Sequence, residues 1–257
     1  MRNLFFVLMS CTLFAYCSPN NVETDNTPEK FFKEKNLTGS FALLNNANET
    51  FKIYNLSDYK DATYSPGTAF NVVNALIAIE TGVLTDENTV LPADSVASTL
   101  KTAFDKDAVF FDTLAARIGK ERLQLWLDSL HYGNAAINND TTSFWKNGSL
   151  QVTSDEQLGL ITSLHFSHLP FQKRTQAVVS NLLHRESNSK YTLAYNKGMA
   201  THTEGFVAHI NGWIIENKHV YFFSQTTKST DATTLMNNSE ALLRSILKEY
   251  GYFEGKK

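Results

Sequence analysis

Cysteine is scarce in this sequence, which has two such residues, Cys11 and Cys17, in a chain of 257. If the segment ahead of Cys17 is removed, the remaining chain has one cysteine, its first residue, and therefore no internal disulfide bond. Charge is limited as well, and a formal net charge of −3 gives no electrostatic basis for binding nucleic acid. No basic amphipathic stretch favours a membrane surface. We therefore expect a small molecule or another protein as the partner.

The start of the chain has the pattern of an export signal. Arg2 is the only charged residue ahead of the apolar run 4–16, which is too short to span a bilayer and is typical of a secretory signal. Cys17 at its end resembles the lipidated cysteine of a bacterial lipoprotein. Cys11 fits that pattern better but leaves a very short apolar run, and an ordinary signal with an incidental cysteine is the third alternative. Each alternative predicts export to the periplasm or cell envelope, and we favour a lipid anchor at Cys17.

Composition divides the rest of the chain into two parts. After the signal segment 1–17, the polar residues 18–35 predict a flexible tether. Residues 36–257 then form the predicted domain. An apolar content of 42 % is enough to bury one sizeable core.

Local patterns predict a mixed fold. The apolar runs 39–44 and 50–54 are separated by turn-forming asparagines, which favours a β-hairpin. Thr153 and Glu156 have the spacing of a capping box at a helix start. Helices are predicted at 70–79, 107–118, 121–130 and 239–250, and later strands at 191–195, 206–216 and 220–225. This order predicts an α+β domain whose first and last parts pair in one sheet.

One segment carries a family resemblance. Residues 64–82 begin Tyr-Ser-Pro-Gly-Thr-Ala-Phe-Asn and end Glu-Thr-Gly. This segment resembles the active-site segment of class D β-lactamases and their penicillin-sensor relatives. Further landmarks follow in the family's order at 104–111, 116–119, 132–134, 144–145, 148–150 and 212–213. The resemblance implies a serine β-lactamase/transpeptidase-like fold, with an antiparallel sheet from both chain ends, flanking helices and a mostly helical middle region.

The resemblance also implies a chemistry, nucleophilic acyl transfer. In the family a serine attacks the β-lactam carbonyl, and a lysine three residues later, usually carbamylated, takes its proton. Here the nucleophile position falls on Thr68 and the base position on Asn71. An asparagine amide neither accepts a proton at physiological pH nor becomes carbamylated. Because a general base contributes ~10²–10⁴-fold, little turnover is expected.

The other two family motifs are also substituted. The position of a proton-relaying serine falls on Asp107, two residues before Val109, and an ionised aspartate only accepts hydrogen bonds. The family's Lys-Thr-Gly falls on Asn196, Lys197 and Gly198. The glycine would let substrate approach the backbone. The lysine has moved by one position, which on a strand turns its side chain to the opposite face unless a local bulge restores its direction.

Several further residues have a structural and a functional interpretation. Trp145 matches a tryptophan that contacts the family's modified lysine, but a buried aromatic that fills core volume is the better interpretation. His202, with Glu204, follows the third motif and could replace the missing base, although a polar loop between strands is favoured. His165 and His168 are three residues apart, but no cysteine or carboxylate cluster accompanies them, and no metal site is expected.

Three functions compete on these residues. The favoured one is an exported, catalytically impaired or inactive class D-like protein that acts by binding a β-lactam, a peptidoglycan peptide or a protein partner. The second is a working β-lactam-interacting hydrolase that uses Thr68 with rearranged helper residues. The third is a different activity in the same cleft that depends on His202 or Asp107. None requires a cofactor, and only the lipid anchor would contact a membrane.

Overall fold

The computed structural model describes residues 21–91, 98–105 and 108–257. The signal segment 1–17, with Cys11 and Cys17, lies outside these ranges, and so does Asp107. Within the described ranges, no helix has both the length and the apolar character needed to cross a membrane.

A mixed sheet forms the centre of the fold. Its strands are β1 (Val22–Thr24), β2 (Thr38–Asn45), β3 (Thr50–Tyr54), β6 (His184–Ser187), β7 (Tyr191–His202), β8 (Gly205–Glu216) and β9 (His219–Ser229). Their order across the sheet is β1-β3-β2-β9-β8-β7-β6, and a separate short ribbon joins β4 (Val90–Leu91) to β5 (Ser98–Thr99). Because β2 pairs with β9, the two ends of the chain meet in one sheet, as the sequence predicted.

Helices cover both faces of the sheet. They are α1 (Glu29–Glu34), α2 (Leu56–Lys60), α3 (Asn71–Glu80), α4 (Leu100–Ala103), α5 (Ala108–Ile118), α6 (Lys120–Leu130), α7 (Ser154–His165), α8 (Lys173–Leu182) and α9 (Ala232–Glu249). On β9, Phe222 packs into the core formed with α3, α5, α6, α7 and α8, whereas Phe223 packs into the core formed with α1 and α9. This alternation is the period-two pattern of a strand that is buried on both faces.

Helix α3 lies inside the larger helical layer and carries the residues that follow the nucleophile position. Asn71 and the seven residues after it are all buried. Six of these eight residues are apolar, as expected of a helix buried inside such a layer. A 3₁₀ turn, Gly67–Phe70, leads directly into it.

Most of the predicted elements are confirmed, including the α+β class, the hairpin of β2 and β3, and the capping box. In that box the Thr153 hydroxyl accepts from the Glu156 amide at 3.1 Å, and the Thr153 amide donates to the Glu156 carboxylate at 2.7 Å. The prediction of a flexible tether is wrong from residue 21 onward. Strand β1 pairs with β3, and Phe32 of α1 is 1 % exposed within the core. Phe31 and Val22 also pack against the two cores, so a few apolar side chains anchor a mostly polar segment.

Candidate active site

The site is built where the 3₁₀ turn packs against strand β7. A β-carbon on Gly198 would lie 1.9 Å from the Ala69 backbone nitrogen, and one on Gly67, where φ is +55°, would lie 2.1 Å from the Met199 carbonyl oxygen. Only glycine permits such an approach. Gly198, which the sequence predicts to let substrate approach the backbone, lines the cleft, and the space that a side chain would need there is occupied by Ala69. The glycine therefore holds the nucleophile segment against the strand.

Thr68 lies at this contact and lines the cleft. Its hydroxyl oxygen accepts a hydrogen bond from the Met199 amide at 3.3 Å. Among the described residues, no basic side chain hydrogen-bonds to this hydroxyl. Within the described ranges, Thr68 thus has a backbone donor beside it and no basic side chain bonded to its hydroxyl that would take its proton.

Asn71, at the base position, faces the helical layer. It is 4 % exposed, and its side-chain amide donates to the Phe104 carbonyl at 3.0 Å. Its Oδ1 atom has no hydrogen-bond partner among the described residues. Asn71 therefore ties α3 to the chain after α4, and it is not one of the described residues that line the cleft.

The substituted third motif divides between two faces of β7. Asn196 is buried and donates to the Ala69 carbonyl at 2.7 Å, whereas the Lys197 ammonium forms an ion pair with Glu240 of α9. The pairing of β7 with β8 keeps one register from Tyr191 to His202. A bulge in this pairing therefore does not redirect the lysine, and the one-residue shift places it on the face opposite Asn196.

The cleft between these elements has a volume of about 290 Å³. Its lining combines apolar side chains with polar and charged ones. The described residues that line it are Thr68, Asp105, Lys197, Gly198, Met199, Ala208, His209, Ile210, Leu235, Met236, Ser239 and Glu240. This volume is at the lower end of the range for small-molecule sites.

Arg185 on β6 is a site residue that the sequence did not indicate. Its two terminal nitrogens donate to Asp105 at 2.6 and 2.9 Å, and its Nε donates to the Tyr195 carbonyl at 3.0 Å. The guanidinium also lies 4.9 Å from the centre of the Tyr195 ring. Since Asp105 follows α4, this bidentate pair joins the helical layer to the sheet beside the cleft.

His209 on β8 contacts the segment that carries the nucleophile position. Its Nε2 lies 3.2 Å from the Ser65 carbonyl and its Nδ1 lies 3.0 Å from the Thr226 hydroxyl. Because a carbonyl only accepts, Nε2 carries the proton and Nδ1 accepts from Thr226. Burial lowers the pKa of His209 to about 4, so the ring is neutral at physiological pH. Nothing in the sequence distinguishes this histidine from the other six.

Some predicted site residues do not meet at the cleft. Trp145 is 1 % exposed and stacks on Phe70 with ring centres 5.3 Å apart, which agrees with a core-filling role. Val109 is exposed on α5. His202 packs edge-on against Tyr64 at 5.1 Å, and neither it nor Glu204 is among the described residues lining the cleft with Thr68. The structure thus does not support His202 as a base for Thr68.

Comparisons with known proteins agree with this architecture, although no protein-family model matches the chain. The chain is 30 % identical over 241 residues to the probable β-lactamase YbxI of Bacillus subtilis, across 90 % of this chain and 86 % of that protein. It is 29 % identical over 210 residues to the β-lactamase OXA-5 of Pseudomonas aeruginosa, across 76 % and 78 % of the two chains.

Solved structures extend the comparison to three dimensions. The class D β-lactamase FUS-1 of Fusobacterium nucleatum superposes with a TM-score of 0.83 at 26 % identity, across 90 % of this chain and 100 % of that one. The C-terminal domain of the Bacillus licheniformis penicillin receptor BlaR superposes with a TM-score of 0.81 at 22 % identity, across 90 % and 97 %. The second similarity concerns the fold alone.

Proposed function

Since this chain belongs to the class D β-lactamase family, we propose that it retains the family's ligand cleft for binding and carries out little or no acyl transfer. The observation that carries this proposal is the environment of Thr68. Its hydroxyl is bonded to a backbone amide, and the amide side chain at the base position, Asn71, is bonded to the Phe104 carbonyl. A hydroxyl without a base is a poor nucleophile at neutral pH.

The remaining substitutions support the same proposal. The threonine methyl group crowds the approach to a carbonyl, and an aspartate at position 107 has no proton to give to a leaving group at neutral pH. At the third motif, Asn196 supplies an uncharged amide, and the Lys197 ammonium is already paired with Glu240. Nucleophile, base, proton relay and cation are therefore all altered.

The proposed ligand is a β-lactam or a peptidoglycan peptide. The choice of a β-lactam follows from the relatives, which include β-lactamases and, at the level of fold, the domain of a penicillin receptor. We further propose an exported protein, anchored by a lipid at Cys17. Labelled palmitate incorporation in bacteria that express the full chain tests the anchor, and Cys17→Ala should abolish it. Label that persists in this variant but is lost in Cys11→Ala would place the anchor at Cys11.

The central experiment compares binding with acylation for the same ligand. Benzylpenicillin is expected to raise the melting temperature of the protein in a dose-dependent manner. Intact-mass spectrometry of the same samples should show no covalent adduct, and absorbance should show no hydrolysis. An adduct on Thr68 would contradict the proposal and favour the alternative hydrolase. Loss of that adduct in Asp107→Ala would then assign Asp107 as its helper.

A reversion variant asks whether the cleft geometry is intact. It restores the family residues with five substitutions, Thr68→Ser, Asn71→Lys, Asp107→Ser, Asn196→Lys and Lys197→Thr. We expect this variant to form an acyl adduct with benzylpenicillin, because the scaffold that holds Thr68, Asn71 and Asn196 is present in the described structure. If it folds and forms no adduct, the cleft differs from that of the family in more than its chemistry.

A further inference from the structure

The positive charge of the cleft, on Lys197, is already paired with a carboxylate of the same protein. Lys197 carries the only ammonium or guanidinium among the described residues lining the cleft, and this ammonium contacts the Glu240 carboxylate directly. The two side chains are 43 % and 39 % exposed, so the pair lies at the surface of the cleft where a ligand would meet it. A ligand carboxylate that approached Lys197 would have to compete with Glu240.

Glu240 is positioned by a hydrogen bond and by its helix, as well as by its ion pair with Lys197. Its second oxygen accepts a hydrogen bond from the Tyr195 hydroxyl at 2.8 Å, and it lies on α9, whose inner face is buried at Leu242 and Leu243. Burial alone would raise the pKa of Glu240, but hydrogen bonds from Lys197 and Tyr195 outweigh it and hold the pKa below its usual value. The carboxylate is therefore charged and oriented at neutral pH.

The neighbouring guanidinium is occupied as well. Arg185 uses its terminal nitrogens on Asp105 and its Nε on the Tyr195 carbonyl. Asp105 itself faces the cleft, so the arginine neutralises a carboxylate there and leaves no positive field for an anion. His209, the remaining titratable group of the lining, is neutral because burial lowers its pKa to about 4.

The rest of the lining favours uncharged groups. Five of the twelve described lining residues have apolar side chains, namely Met199, Ala208, Ile210, Leu235 and Met236. Burial of an apolar ligand surface there is favourable because it removes that surface from water. An anionic ligand gains little binding free energy there, because removing its charge from water is costly. The ammonium that would pair with it, that of Lys197, is already paired with Glu240.

We propose that Glu240 determines the specificity of the cleft by neutralising Lys197, so that the cleft binds ligands whose recognised group is uncharged, such as an amide, in preference to the matching carboxylate. This inference rests on the proposed binding function. It names a residue outside the altered catalytic positions and the chemical class of ligand that this residue favours.

Calorimetric titration with a matched ligand pair tests the inference. The probes are benzylpenicillin and its carboxamide, in which the carboxylate is replaced by an uncharged amide of similar size. The wild-type protein should bind the carboxamide more tightly than the acid. Glu240→Gln should bind the acid about five-fold more tightly than the wild type does, with less gain as salt is added, and should bind the carboxamide equally well.

Glu249→Gln is the matched control. Glu249 lies on the same helix, is 42 % exposed and pairs with Lys30 at 2.6 Å, so its replacement removes a similar ion pair outside the cleft. This control should bind both probes as the wild type does. Adding Lys197→Met to Glu240→Gln should cancel the gain for the acid, because the uncovered ammonium is its cause.

The outcomes separate this inference from the proposed function. If the probes bind but Glu240→Gln does not alter the acid's affinity, or if Glu249→Gln alters it equally, the role of Glu240 is refuted while ligand binding stands. If neither probe binds to any variant at millimolar concentration, the proposed binding of penicillins fails and this inference fails with it.

Discussion

Replacing Gly198 by alanine tests the close contact that forms the site. The new β-carbon would lie 1.9 Å from the Ala69 nitrogen and 2.7 Å from its α-carbon. Both neighbours are backbone atoms, so rotation of a side chain does not relieve the overlap. Strand β7 and the 3₁₀ turn must instead move apart by more than an ångström, which weakens the hydrogen bonds Asn196–Ala69 and Met199–Thr68.

The magnitude follows from the cost of overpacking. An extra methyl group in a well-packed region costs about 1–3 kcal/mol, and each net hydrogen bond that is lost costs about 1 kcal/mol. We therefore expect Gly198→Ala to lower the free energy of unfolding by about 3 kcal/mol, measured by urea denaturation. Gly159→Ala is the control, because nothing lies within 4 Å of a β-carbon at this helical position.

The two alanine substitutions should change the free energy of unfolding in opposite directions, with Gly198→Ala lowering it and Gly159→Ala raising it. Gly159 lies on an exposed face of α7, where alanine raises helix stability by about 1 kcal/mol relative to glycine. The reasoning is refuted if Gly198→Ala unfolds at the same urea concentration as the wild type with an unchanged slope. That result would mean that β7 and the nucleophile segment separate at little cost.

The pH dependence of stability should carry the signature of His209. Its pKa is near 6.5 in the unfolded chain and about 4 in the folded protein, so below pH 6.5 the unfolded chain binds the proton that the folded protein excludes. The free energy of unfolding should therefore fall by up to about 3 kcal/mol between pH 6.5 and pH 4. In urea titrations, His209→Gln should flatten this decline. The control His219→Gln, at an exposed position, should not. Asp231 caps α9 by accepting from the Thr234 amide at 2.8 Å, so Asp231→Ala should cost about 1 kcal/mol. If the thermal unfolding midpoint of Asp231→Ala equals that of the wild type, the role of Asp231 as the helix cap is contradicted.

Local sequence patterns predict many of the helices and strands of the fold correctly. The asparagine-rich turn between β2 and β3 and the capping box at Thr153 both act over a few residues. The start of α9 was predicted at residue 239 and lies at Ala232, because Asp231 and the two threonines after Ala232 form a cap ahead of the apolar face. Helix α8 was not predicted, since its pattern is mostly polar and three of its residues are buried, Thr175, Gln176 and Val179.

The site was less accessible to sequence reasoning because its contacts join distant parts of the chain. The Arg185–Asp105 pair spans 80 positions and the Lys197–Glu240 pair spans 43. Single charged residues at such separations carry no pattern that links them. Alternation along a strand did predict correctly that Lys197 would face away from Asn196, because that rule depends on backbone geometry alone.

The substituted residues within the described ranges have hydrogen-bond or ion-pair partners, which bears on whether the site is damaged or redirected. A buried polar group left without a partner costs about 1–3 kcal/mol, so damage alone would leave several such groups at the cleft. Instead Asn196 bonds to the Ala69 carbonyl, Thr68 accepts from Met199, and Lys197 pairs with Glu240. Oδ1 of Asn71 is the exception among these side chains. Most polar groups of the described replacements are satisfied, as the proposed binding function expects. A covalent benzylpenicillin adduct is therefore the measurement that would contradict that proposal most directly.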